Sequence, residues 1–110
     1  MTIEIESLAI IPDYVHPDDE FAVSIDISTW LDADTISSVA YSAVDEDGDT
    51  ATTTVLDAAQ HTNTDTVILP YIKGGTHDVF YMVKMIVSTA GGDEKTFYLK
   101  FHCFDYSESL

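Results

Sequence analysis

The stretch Phe21-Ala22-Val23-Ser24-Ile25-Asp26-Ile27-Ser28 alternates apolar residues with small or charged ones over eight positions. Successive side chains of an extended chain point to opposite faces, so Phe21, Val23, Ile25 and Ile27 share one side of a half-buried strand. The same period returns three times. Val39, Tyr41 and Ala43 share a face within Ile36 to Val44, Tyr81, Val83, Met85 and Val87 do so within Val79 to Val87, and Phe97, Leu99, Phe101 and Cys103 form a last inward row. Weaker strands are expected at Ile3 to Ile10, at the threonine-rich Thr50 to Leu56, and at Thr64 to Leu69. Helix is confined to single turns near Trp30 to Asp34 and Asp57 to His61, because no apolar repeat at i, i+3, i+4 persists for two turns.

Turn residues separate these runs. Asp47-Gly48, Gly74-Gly75 and Gly91-Gly92-Asp93 supply positions that tolerate positive φ, as tight reversals require. Pro12 and Pro17 bracket an extended entry, and Pro70 ends a strand that could not continue a central ladder without its N–H. About seven short strands with such punctuation predict an all-β fold, an immunoglobulin-like two-sheet antiparallel sandwich, with a small closed barrel as the alternative. Ser28 to Thr35 is long enough to carry the chain from one sheet to the other, which favours the sandwich.

The 110 residues suit a single domain spanning 1–110, without room for a second core. Twenty Asp and Glu oppose four lysines, Lys73, Lys84, Lys95 and Lys100, for a formal charge of -16. Fifteen of the acids fall in residues 1–72, where there is no base at all. Such a surface repels a phosphate backbone, so nucleic acid is not an expected partner. With Cys103 as the lone cysteine, no intrachain disulfide can form. The first residues lack a basic region and the longest apolar run there, Leu8 to Ile11, is too short for a signal peptide or a span, so a cytoplasmic folding site and no membrane are expected.

Several segments together resemble a family of small tailed-bacteriophage proteins: Asp26-Ile27-Ser28-Thr29-Trp30-Leu31, Asp34 to Tyr41, Lys73-Gly74-Gly75-Thr76, Tyr81, and Ser88-Thr89-Ala90-Gly91. The resemblance covers about residues 20–103 and implies an immunoglobulin-like virion structural protein, often a fibre-to-tail adaptor. Tyr41 stands where a tryptophan is usual, Gly92-Asp93 where a basic residue commonly follows the glycine, and the acidic Asp45 to Asp49 replaces a proline-glycine turn.

Candidate chemistry is sparse. Asp45-Glu46-Asp47-Gly48-Asp49 clusters carboxylates beside a glycine, but without the ligand spacing of a calcium loop, so it reads as a solvated hairpin tip. His16-Pro17-Asp18-Asp19-Glu20 reads as an acidic turn leading into the second strand, and His61, His77 and His102 are isolated. Neighbours on a strand face opposite ways, so Cys103 and His102 cannot act as nucleophile and base. With no nucleophile elbow and no phosphate loop, neither an enzyme nor a cofactor is expected, and no metal. Trp30 and Leu31 read as a plug at the open end of the sandwich rather than an exposed contact.

Phe80, Met82, Tyr98, Lys100 and His102 lie on the outward face of the last two strands. Of these, Phe80, Met82, Tyr98 and Lys100 are the expected protein interface. The function expected is that of a non-enzymatic virion component, folded in the host cytoplasm and present in multiple copies in a symmetric assembly. It would dock on other phage proteins either as capsid decoration or as an adaptor at the neck or tail. A carbohydrate- or surface-binding module and an acidic DNA mimic are the competing classes. The first would normally gather several exposed aromatic residues in one groove. The second rests on net charge alone.

Overall fold

A computed structural model describes the backbone of residues 2–4 and 7–109, with side chains from residue 7 to residue 108. Ten strands form it: β1 Thr2–Glu4, β2 Leu8–Val15, β3 Glu20–Ala22, β4 Ser24–Asp26, β5 Ile36–Asp45, β6 Thr62–Asn63, β7 Val67–Leu69, β8 Tyr71–Lys73, β9 Val79–Thr89 and β10 Glu94–Cys103. Two single-turn helices, α1 Ser28–Leu31 and α2 Thr52–Val55, join them. One sheet has the order β2-β10-β9-β5, the other β1-β4-β7-β6, and β3 pairs with β8.

The β3–β8 pair is an extension of the second sheet. Glu20 opposes Lys73 and Phe21 opposes Ile72, while Ile25 opposes Ile68 and Asp26 opposes Val67, so one constant antiparallel register runs through both pairs. Val23 and Pro70 sit where the ladder is interrupted, and the Val23 N–H still donates to the Pro70 carbonyl at 3.0 Å. Proline has no N–H to return, which breaks the ladder without ending it. The Phe21–Ser28 run is thus two strands, and its last residue opens α1.

The core lies between the sheets and follows the period-two rows. Val23, Ile25 and Ile27 meet Ile68 and Ile72 from one side, and Val83, Met85, Val87, Phe97, Leu99, Phe101 and Cys103 from the other. Each large side chain removed from water there contributes roughly 1.5–3 kcal/mol relative to exposure. The chain crosses between sheets through α1, as the length of the 28–35 segment predicts. Leu31 is buried there, and Trp30 is half-buried edge-on to Phe97 with ring centroids 5.6 Å apart, so this pair closes the end of the core.

Three expected strands are corrected. Ile3 to Ile10 is not one strand: β1 lies parallel to β4 and β2 parallel to β10, so the chain changes sheet between them, and both sheets gain a parallel edge. Residues 5 and 6 lie outside the described residues. Thr50 to Leu56 is not a strand either, because it passes from a bridge with Val44 in one sheet to a bridge with Ile72 in the other. A helical turn makes that step, burying Ala51 and Val55 four positions apart while Thr52 Oγ1 accepts the Ala43 N–H at 3.1 Å, so tertiary contact overrides the β preference of threonine. The Thr64 to Leu69 strand starts only at Val67, after Thr64 Oγ1 accepts the Val67 N–H in a turn.

The glycines also divide differently. Gly48 and Gly92 have φ of +84° and +93°, but Gly74 and Gly75 do not need positive φ. A Cβ on Gly74 would collide with the backbone of His16 and Pro17, and one on Gly75 would lie 2.5 Å from the Tyr81 ring. Close approach is what these two positions require.

Candidate functional site

In the β2-β10-β9-β5 sheet, positions that alternate with the core row face away from the second sheet. Register aligns them in cross-strand rows: Ser42, Lys84, Tyr98 and Leu8; then Val44, Met82, Lys100 and Ile10; then Phe80, His102 and Tyr14. Ile10 is 56% exposed, Leu8 48% and Phe80 43%, values far above what a strand covered by a second layer shows. Phe80 lies flat on His102, centroids 4.1 Å apart and planes 8° from parallel, and the Lys100 ammonium stands 5.4 Å from the Phe80 ring. His102 Nε2 is 2.9 Å from Asp78 Oδ1, which fixes the imidazole beneath Phe80.

The last residues extend this surface. Tyr106 packs edge-on to Tyr14 at 4.8 Å and against Phe104 at 4.9 Å. A groove of about 450 Å³ results, lined by Ile10, Tyr14, Phe80, Lys100, Phe104 and Tyr106 among others. A second hollow, about 520 Å³, lies across Phe80 and Lys100 toward Val44 and the acidic hairpin. The four sequence-expected interface residues, Phe80, Met82, Tyr98 and Lys100, therefore fall on one face, with Met82 only half-exposed. Sequence reasoning missed Leu8, Ile10 and Tyr14. Their outward phase was readable, but nothing local says that β2 lies beside β10.

The remaining candidates separate. Asp45, Asp47 and Asp49 do converge, each offering an oxygen within 4.8 Å of the others. Yet Asp45 Oδ1 already accepts the N–H groups of Asp47 and Asp49 at 2.9 and 3.0 Å, so the hairpin tip is closed by its own hydrogen bonds. The His16–Glu20 segment likewise closes on itself, with His16 Nδ1 accepting the Asp18 N–H and Asp19 accepting that of His16. His61 Nδ1 accepts the Tyr71 N–H at 3.0 Å, and burial holds its pKa below the ordinary value against the pull of Asp57. His77 Nδ1 accepts the Asp105 N–H at 2.9 Å. Cys103 is fully buried and its thiol is pushed up by that burial, in line with a core residue.

Tyr41 departs from full burial. It has the inward phase and packs against the core, with His61 stacked on the ring at 3.9 Å, but β5 is the edge of its sheet and the ring stays half-buried. Its hydroxyl donates to the Thr62 carbonyl at 3.2 Å, and burial pushes the phenol up to about 12.

One face of this β-sandwich concentrates the large exposed apolar side chains of the described residues. Residues 16–101 match the family described as podophage GP4 fiber-tail adaptor protein gp77. The chain belongs to that family and is a structural component of a phage virion. A comparison with curated proteins found no match. No helix among the described residues is long and apolar enough to cross a membrane.

Proposed function

We propose that this chain works as a non-catalytic adaptor in the podophage tail, linking fibre and tail through protein contacts made by the outer face of the β2-β10-β9-β5 sheet. The observation that carries this reading is the set of aligned rows that brings Leu8, Ile10, Tyr14, Phe80, Met82 and Tyr98 to one face of β2, β10 and β9, interspersed with Lys84, Lys100 and His102. Exposed side chains of this size in one patch are worth about 25 cal/mol per Å² when covered. The family's tail function favours the tail over capsid decoration. The partners are other virion proteins, engaged by several copies whose individually modest contacts add through symmetry. Residues 1–110 act as one unit in this role, assembled in the host cytoplasm. The charge of -16 argues against a nucleic-acid partner.

The reading is tested by purifying phage particles on a density gradient and quantifying the chain by mass spectrometry, then repeating with Phe80→Ser and Tyr98→Ser combined. The chain is expected in wild-type particles and strongly depleted in the double variant. Absence from wild-type particles would refute the structural role, and full occupancy by the variant would move the interface elsewhere.

A further inference from the structure

Acidic residues outnumber basic ones 20 to 4 in this chain, so any broad patch of its surface should carry several carboxylates. The outer sheet face departs from this. Its cross-strand rows, Ala40–Ile86–Thr96 followed by the three described above, contain two of the four lysines, one histidine and no Asp or Glu. Lys84 and Lys100 lie on a diagonal between β9 and β10, which sets their backbones about 7–8 Å apart. Among the described residues the carboxylates lie around these rows: Glu94 in the next row out, Asp13 along the groove beside Tyr14, Asp45 and Glu46 by the second hollow, where Glu46 Oε1 accepts the Phe80 N–H, and Asp78, which holds His102.

We propose that this face binds a partner of different sequence that presents an apolar patch carrying carboxylates opposite the Lys84–Lys100 diagonal. The inference rests on the docking reading above and adds the partner's chemistry. Covering the apolar rows takes both ammonium groups out of water, and an ammonium left without an anion there would oppose binding. A second copy of this chain does not meet the requirement. Around a two-fold axis the same patch faces itself, and its rows hold no carboxylate to set against either lysine. In a head-to-tail contact the second copy would need apolar and acidic groups together on another surface. The large exposed hydrophobics of the described residues all lie on this face or at its Tyr106 edge, while the acidic hairpin Asp45 to Asp49 has none.

The test is zero-length cross-linking of purified intact particles with a water-soluble carbodiimide, which joins an amine to a carboxylate in direct contact, with the joined peptides read by mass spectrometry. Lys84 and Lys100 are expected to join Asp or Glu of another virion polypeptide. Lys84→Glu with Lys100→Glu should lower occupancy of the particle about tenfold, whereas the corresponding arginine pair keeps it, with both variants melting as the wild type does. Cross-links confined to this chain's own sequence, or occupancy unchanged by the glutamate pair, would overturn the proposed partner chemistry. Either result leaves the docking reading standing, since that depends on Phe80 and Tyr98 and on the chain being in the particle.

Discussion

Asp34 accepts the Gly91 N–H across 57 positions of the chain, at 3.1 Å through one carboxylate oxygen and 3.3 Å through the other. The same carboxylate accepts the Thr35 N–H at 2.8 Å, and Thr35 in turn accepts the Ala90 N–H through its carbonyl. Two of the family-like segments, one starting at Asp34 and one ending at Gly91, are therefore the two halves of a single contact. It ties the sheet-crossing loop to the β9–β10 turn. Hydrogen bonds from the Thr89 side chain, then from Thr35 and Gly91, hold the Asp34 carboxyl below the usual carboxylate range.

A Cβ on Gly91 would come within 2.6 Å of Asp34 Oδ2, so Gly91→Ala displaces the carboxylate and costs about 1–2 kcal/mol. Asp34→Ala relieves the collision while removing the acceptor. The double variant should lose less than the sum of the two single losses in urea denaturation. Additive losses would show that the two positions do not share one contact.

Gly74 and Gly48 should respond differently to alanine. At Gly74 the added Cβ meets fixed backbone, and the loss should be about 3 kcal/mol. At Gly48 there is open space, and only the strain of φ +84° is added, about 1 kcal/mol. Equal denaturation midpoints for the two variants would contradict the division of the glycines into close-approach and turn positions.

Truncating Tyr41 should cost about 2 kcal/mol, below the 3–5 typical of a fully buried aromatic, because solvent reaches the edge strand. Tyr41→Phe should cost less than about 1 kcal/mol, the value of one hydroxyl bond to a carbonyl. Equilibrium unfolding in urea measures both. A loss near zero for Tyr41→Ala would mean that the His61 stack contributes nothing.

Burial lowers the pKa of His61, and protonation would place a hydrogen on the nitrogen that accepts from Tyr71. The unfolded chain therefore takes up this proton first. Stability contributed by the neutral ring is complete above the unfolded value of about 6.5 and is lost as pH falls through it toward the folded pKa. His61→Asn retains an acceptor without a titrating ring, and its melting temperature should fall less than that of the wild type between pH 7.5 and 5.5. Parallel profiles would exclude His61 as the source.

Millimolar calcium or a chelator should leave the melting temperature nearly unchanged at constant ionic strength. The Asp45 carboxylate is already engaged by two backbone N–H groups, so the hairpin forms without a cation. A rise of many degrees with calcium would show that Asp45, Asp47 and Asp49 gather an ion.

The strand phases, the inward rows, the acidity and the turns at Gly48 and Gly92 were legible in the sequence. Each depends only on residues adjacent in the chain: the pleat alternates faces every residue, and positive φ is a property of one position. Other features belong to the tertiary structure alone. That β2 lies beside β10, that Pro70 interrupts a ladder which then resumes, and that Thr52–Val55 turns helical between two bridges all follow from pairings between distant segments. The candidate surface shows the same divide. The outward phase of Phe80, Met82, Tyr98 and Lys100 was written in two neighbouring strands, but their union with Leu8, Ile10 and Tyr14 required a parallel pairing from the far end of the chain. Pairing is chosen by hydrogen bonds and packing that both partners must satisfy together, so neither segment encodes it by itself.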